Sequence, residues 1–259
     1  MFIQCSGCAW ISNPSRVIVV GEHGRKDIRG SAGRPGLLHD DQREWPERLS
    51  QGQASALSKN QLIRKGMNMK VVAFNGSPRK DGNTAILLNY VLAELKKKGI
   101  ETELVHLAGN RIHGCIACYK CFKTQNRRCA VTNDIVNRCI EKMIAADGIL
   151  LGSPTYFTDV TAEMKALIDR AGLVAKANGD MLKRKVGAAV VAVRRAGSIH
   201  AFDSMNHFFL INQMIIPGST YWNVGIGRDK GDVKKDEEGV KTVKLLGQNM
   251  GWLLKKLHR

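Results

Sequence analysis

From residue 70 onward, short unbroken apolar runs alternate with longer stretches in which apolar residues return every three or four positions. The runs over 70–75, 148–152 and 186–193 are rich in β-branched and small apolar residues. Continuous hydrophobicity of that length predicts strands buried on both faces. A further strand is predicted over 101–107 and a weaker, fifth one over 219–224. Between the strands the period lengthens. Ile86, Leu87, Tyr90, Val91 and Leu95 predict a helix over 85–98, closed by Gly99 as a C-cap. Thr132, Asn133 and Asp134 open a helix that carries Ile135, Cys139, Ile140, Met143 and Ile144 on one face. Met164, Leu167, Ile168 and Ala171 predict a helix over 161–175, and two more are predicted over 201–214 and 236–259.

Strand and helix thus alternate five times, which implies an α/β domain whose parallel sheet is covered on both faces. In open sheets of this kind ligands bind outside the carboxyl ends of the strands. The loops beginning at Asn75, Ser153 and Arg194 follow the first, third and fourth strands, so they share one edge.

Residues 1–66 have a different character. They are rich in Gly, Ser, Arg and Gln and lack sustained periodicity beyond 17–20. They read as a disordered extension or a mis-assigned start, with translation beginning at Met67 or Met69 and the domain occupying 67–259. No small-residue cleavage site follows an apolar core, which argues against a signal peptide. Cys5 and Cys8 form a lone Cys-x-x-Cys, weak evidence for any chemistry.

The net charge is +17, and from Met67 onward 30 Lys and Arg face 17 Asp and Glu. No recognition-helix motif and no basic stripe interleaved with aromatics accompanies that charge, so nucleic acid is not an expected partner. Anionic cofactors and acidic electron-transfer partners fit it, since long-range charge steers encounter. No apolar run is long enough for a membrane span. Cysteines grouped as metal ligands without an export signal suit a reducing cytoplasm.

Those cysteines are the most specific signal. Cys115, Cys118 and Cys121 recur at intervals of three, and Cys129 follows after seven intervening residues, all within a loop over 113–131. Four thiolates around one small volume suit a cubane iron–sulfur cluster, in which each iron takes one cysteine. Zinc competes, although zinc ribbons bring two separated knuckles together. Reduced or disulfide-forming thiols are the third reading. Arg127 and Arg128, beside Cys129, would favour the more negative state of a cluster if they lie close. Cys139 has helical neighbours and reads as a small buried hydrophobe.

The loop after the first strand runs from Gly76 through Ser77, Arg79 and Gly82 to Asn83 and Thr84, where a helix begins. Unpaired N–H groups of a first helical turn, together with the helix dipole, make an anion site. Ser77, Asn83 and Thr84 can donate to a monophosphate, and Arg79 can add charge. The loop lacks both the Gly-Lys-Ser/Thr ending of a Walker loop and the dinucleotide Gly-x-Gly-x-x-Gly. The plain alternative is an ordinary strand-to-helix loop with Asn83 or Thr84 as N-cap. After the third strand, Tyr156 and Phe157 offer flat surfaces to a ring, or pack as core beneath their loop. His113 and His200 flank the loops and read as surface or hydrogen-bonding residues.

Asn75 to Arg79 with Gly82, Asn83 and Thr84, then Ser153 to Phe157 followed by 162–170, resembles the flavodoxin-fold NAD(P)H-dependent FMN reductases. The compact cysteine motif resembles the iron–sulfur flavoprotein branch of that superfamily, and the likeness covers about 69–258. It implies a flavodoxin-like, doubly wound, five-stranded parallel sheet of order 2-1-3-4-5. It implies FMN phosphate on Ser77, Arg79, Asn83 and Thr84, with Pro154, Thr155, Tyr156 and Phe157 lining the ribityl chain and ring. Relatives often carry Gly-Gly near the flavin in the next loop, where this chain has Arg194, Arg195, Ala196 and Gly197; Arg195 and Gly197 are the candidates there. The implied function is an FMN-dependent oxidoreductase with a four-iron four-sulfur cluster on Cys115, Cys118, Cys121 and Cys129. It would move electrons between NAD(P)H, a quinone or a peroxide and a one-electron carrier such as ferredoxin. A homodimer or homotetramer is implied as well. The alternatives are a cluster-free FMN or quinone reductase and a non-enzymatic carrier of the flavodoxin kind.

Overall fold

The computed structural model describes residues 69–258, and the expectations for residues 1–66, for Cys5 and Cys8 and for a start at Met67 lie outside them. The sheet contains β1 (Lys70–Asn75), β2 (Glu101–His106), β3 (Gly148–Pro154), β4 (Val186–Val193) and β5 (Val224–Ile226). All neighbours pair parallel, in the order β2-β1-β3-β4-β5. The connecting helices are α1 (Asn83–Lys97), α2 (Lys120–Thr124), α3 (Val136–Ala145), α4 (Ala162–Ala177), α5 (Ser198–Ile211) and α6 (Glu237–Leu257). This is the expected flavodoxin-like arrangement.

Alternation within the central strands explains why their inner positions are apolar toward both faces. In β1, Val72 and Phe74 join the core built with α3, α4 and α5, while Val71 and Ala73 join the core under α1 and α6. Leu87, Leu88, Val91 and Leu95 of α1 are fully buried in the second core, and each such side chain contributes about 1.5–3 kcal/mol by leaving water. The helices lie close to the sheet where strands carry glycine. A Cβ on Gly152 would meet Leu88 at 2.6 Å, and one on Gly187 would meet Phe209 at 2.5 Å.

β1 and β4 keep their expected bounds, but β5 does not. The segment expected to form it, 219–224, turns outward: the exposed rings of Tyr221 and Trp222 pack against one another at a tilt of 45°, and Ser219 Oγ bonds the Tyr221 carbonyl. Asn223 starts the pairing instead, accepting the Val191 N–H at 2.9 Å and donating its side-chain amide to the Ala189 carbonyl at 3.0 Å. An edge strand this short has little apolar surface of its own to announce it. Among the described residues, no helix is long and apolar enough to cross a membrane.

Candidate functional site

The loop after β1 folds around a fully buried side chain. Asn75 Oδ1 accepts the Ser77 N–H at 3.0 Å, and Asn75 Nδ2 lies 3.1 Å from His106 Nδ1 at the end of β2. Burial, followed by the nearby Lys80 charge, lowers the His106 pKa, which favours a neutral ring accepting from Asn75. Gly76 N–H reaches the Gly152 carbonyl at 2.7 Å, and Thr161 Oγ1 donates to the Gly76 carbonyl at 2.8 Å. A Cβ at Gly76 would sit 3.0 Å from both Met164 and Thr161, so the turn needs glycine for close approach. The loop is thereby attached to β3 and to the start of α4.

α1 then begins after Gly82, which caps it without a side-chain hydrogen bond, and no acidic residue stands in its first turn. Neither Asn83 nor Thr84 is the N-cap. Asn83 lies in the first turn, but its amide is committed elsewhere. Nδ2 donates to the carbonyls of Gly227 and Asp229 at 3.2 and 2.9 Å, and Oδ1 accepts the Gly231 N–H at 2.8 Å. What Asn83 leaves free is its backbone N–H, which has no helical acceptor by geometry. Thr84 is 1% exposed and its hydroxyl has no partner. An unsatisfied buried hydroxyl costs about 1–3 kcal/mol. It lies in the first turn of a helix, behind a glycine and serine loop. Arg79 is exposed on the same loop, with its N–H held by Ser77 Oγ at 3.2 Å.

The loop after β3 makes a second wall. Thr155 N–H bonds the Ala192 carbonyl at 2.9 Å, and Thr155 Oγ1 is another buried hydroxyl without a partner. Tyr156 and Asp159 exchange backbone hydrogen bonds of 2.8 and 3.0 Å around Phe157 and Thr158, whose φ angles are 46° and 66°. Hairpin turns with two left-handed residues usually use Asn-Gly, and each non-glycine residue held so costs on the order of 1–3 kcal/mol. Phe157 is fully exposed and Tyr156 about half exposed, so neither ring packs beneath the loop. Gly197, at φ 85°, lets the loop after β4 close on this turn. A Cβ there would lie 3.1 Å from Thr158 Cγ2 and 3.2 Å from its Cα. Arg194 and Arg195 are exposed. The loops after β1 and β4 therefore each contact the segment that follows β3, and a fourth loop, over 227–231, joins through Asn83. That fourth loop escaped the sequence reading because β5 was placed too early, although Gly227 and Gly231 on either side of Asp229 were a turn signal.

The cysteine loop lies farther along α4. Cys115, Cys118, Cys121 and Cys129 border one cavity, together with Arg170, Leu173 and Val174 of α4. The chain bends around it through left-handed residues at Ala117, Tyr119, Gln125 and Arg127 and through the short helix α2, which the sequence reading did not contain. Cys129 is doubly anchored. Asn137, 3% exposed, accepts the Cys129 N–H at 2.7 Å and donates to its carbonyl at 2.9 Å. Arg170 Nε donates to Cys129 Sγ at 3.3 Å. Burial opposes the Asp134 charge, but hydrogen bonds from Arg170 and from the His113 and Val136 N–H groups hold its pKa below the usual carboxylate range. Arg170 follows Thr161, at the head of α4, by about 13 Å at 1.5 Å per residue, so one helix meets the loop after β1 at its start and the thiols further along.

Among the described residues, no group of three or more His, Cys, Asp or Glu closes around a single metal ion. The four thiols border a shared cavity. Cys139 stands apart in the core, 1% exposed, its thiol pushed up to about 12 by burial. Arg128 pairs with Glu141 at the surface, so its charge is locally offset. The buried cation beside Cys129 is Arg170. A charge at 170, on the same face as Leu167, Ala171 and Val174, was the signal that could have found it.

The model of the NADPH-dependent FMN reductase family matches residues 69–229. An iron–sulfur flavoprotein of Methanocaldococcus jannaschii is 37% identical over 198 residues, 74% of this chain and 100% of that protein. One from Archaeoglobus fulgidus is 36% identical over 195 residues, 70% and 94% of the two chains. Among solved structures, RosB with a bound 8-demethyl-8-formylriboflavin-5'-phosphate intermediate shares the fold with a TM-score of 0.60 at 20% identity, covering 73% of this chain and 80% of that one.

Proposed function

This chain belongs to the NADPH-dependent FMN reductase family, in its iron–sulfur flavoprotein branch, and from that premise we propose where it holds its cofactors and which electrons it moves. It is an FMN-dependent oxidoreductase. FMN phosphate sits on Ser77, Arg79, Thr84 and the backbone N–H of Asn83, at the start of α1. Pro154, Thr155, Tyr156 and Phe157 line the ribityl chain and ring, with Gly197 and Arg195 opposite. Cys115, Cys118, Cys121 and Cys129 hold a four-iron four-sulfur cluster.

FMN when bound accepts two electrons together or releases them singly, which lets a hydride donor be coupled to a one-electron carrier. The chain supplies the rest. The first turn of α1 neutralises phosphate charge and carries no carboxylate of its own, while Asp81, just before it, is paired with Lys230. The strained turn at Phe157 and Thr158 presents backbone groups and an exposed aromatic ring toward a bound flavin. A cluster held by Cys115, Cys118, Cys121 and Cys129 would supply one-electron chemistry on its side. NAD(P)H, a quinone or a peroxide stands on the two-electron side, and ferredoxin or another acidic carrier on the other, drawn by the basic surface of the domain. The molecule works in the cytoplasm as a homodimer or homotetramer, and exposed Phe157, Tyr221 and Trp222 support a contact between copies.

The observation that carries this reading is the convergence of four thiols on one cavity over the same helix that starts at the flavin loops. Anaerobically purified protein is expected to show flavin bands with a bleachable iron–sulfur shoulder, and iron and sulfide near four per FMN, the stoichiometry of a cubane cluster. FMN with neither iron nor sulfide would favour the cluster-free reductase.

Two variants test the flavin assignments. Arg79→Ala should weaken FMN binding by about 1.5–3 kcal/mol, the range for hydrogen bonds to charged groups, and leave riboflavin binding unchanged. Equal FMN affinity in both proteins would remove Arg79 from the phosphate site. Tyr156→Ala should perturb flavin absorbance and turnover and keep iron and sulfide at wild-type levels. Its half-exposed ring supports no core that could collapse, so parallel loss of both cofactors would contradict the assignment.

A further inference from the structure

We propose that Arg170 is a positioning residue for the cluster: it holds the cysteine loop in its ligating form and, through an N–H directed at the Cys129 sulfur, stabilises the reduced cluster over the oxidised one. The inference rests on the cluster reading given above.

Arg170 is among the largest fully buried side chains, with no exposed side-chain surface, and three of its nitrogens donate to loop atoms. Nε donates to Cys129 Sγ at 3.3 Å, and Nη2 to the Val131 carbonyl at 2.7 Å. Nη1 donates to the His113 carbonyl at 3.1 Å and to the Asp134 carboxylate. These acceptors precede Cys115, coincide with Cys129 and follow it, so one planar group joins the entry and exit of the loop. A lysine, with its donors on a single atom, cannot span them.

Packing alone does not call for this residue. A buried ion pair is weak evidence for stability, since an apolar side chain of similar volume is often as good or better. What a guanidinium does that methionine cannot is aim an N–H at sulfur. Asp134 cancels the net charge of the pair, so Cys129 experiences a local N–H dipole rather than a full cation. One-electron reduction places more negative charge on the cluster and its thiolates, and the N–H···S bond strengthens accordingly.

The test uses the full chain, reconstituted anaerobically with iron and sulfide, as wild type, as Arg170→Lys and as the double variant Arg170→Met with Asp134→Asn. The double variant removes no net charge and leaves no buried carboxylate unpaired, so its potential reports the hydrogen bond. Iron, sulfide and FMN contents are measured, and the cluster is titrated with dithionite under EPR. FMN should be retained in all three. In the double variant the equilibrium constant for one-electron reduction should fall about tenfold, a shift of about 59 mV to more negative potential. Arg170→Lys should shift in the same direction by less. If the double variant loses iron but keeps FMN, the holding role is supported, and the lysine variant then reads the sulfur contact by its potential. Stoichiometric clusters at wild-type potential in both variants would overturn the inference. Wild-type protein that takes up neither iron nor sulfide overturns the cluster reading, and this inference with it, before any variant is compared.

Discussion

Cys129→Ser is expected to abolish stoichiometric iron and sulfide while FMN stays bound, and Cys118→Ser is expected to do the same. Each iron of a cubane cluster takes one cysteine, so losing a thiolate opens the cluster rather than weakening it by degrees. Cys129 has the most to lose, because Asn137 and Arg170 fix its backbone and sulfur in place. The loops proposed to hold FMN meet α4 about 13 Å earlier along its axis, at Thr161, which is why FMN should survive. Cys139→Ser is the control. Its thiol is buried in the core and borders no cavity with the others, so the cluster should remain at a stability cost of about 1–3 kcal/mol for an enclosed hydroxyl. Iron and sulfide assays beside flavin absorbance read all three variants. Loss of FMN from Cys129→Ser in proportion to iron would show that the two sites are not separately built.

The second expected result has opposite signs in two measurements. Thr84→Val should make the apoprotein more stable and its FMN binding weaker. The hydroxyl is buried and unpartnered, so an isosteric methyl removes a desolvation penalty of about 1–3 kcal/mol from the folded state. With FMN present the same hydroxyl would donate to a phosphate oxygen, a charge-assisted bond whose loss costs about 1.5–3 kcal/mol of affinity. Thermal unfolding of the apoprotein and flavin titration give the two quantities, and riboflavin should bind both proteins alike. A valine variant no more stable than wild type, with FMN affinity intact, would place the phosphate elsewhere.

What is legible in the sequence follows burial. β1 and β4 were legible because their enclosed stretches, 71–74 and 186–193, carry no polar side chain on either face. β5 lies at an edge and spans Val224–Ile226, and the bulky residues before it, Tyr221 and Trp222, turned out to be surface. α2 was missed because only Cys121 in it is buried and no periodicity marks it. The loops at Asn75, Ser153 and Arg194 were found from strand order alone. Which atoms in them are available was not: the committed amide of Asn83 and the orphaned hydroxyl of Thr84 are adjacent in the chain and differ only in what lies across from them.

The sequence by itself determined the order of the five strands and the five long helices between and after them, and with it the edge where loops gather, because hydrophobic period is a local property that burial imposes residue by residue. It also determined the spacing of Cys115, Cys118, Cys121 and Cys129, since close thiols must be close in the chain when one loop carries them. Only the tertiary structure decided that Arg170 meets Cys129 across 41 residues, that Asn83 belongs to the 227–231 loop, and that Tyr156 and Phe157 face outward. Those outcomes depend on how α1, α4 and the loops settle on the sheet, and no pattern confined to one segment encodes a contact whose partner is set by the packing of another.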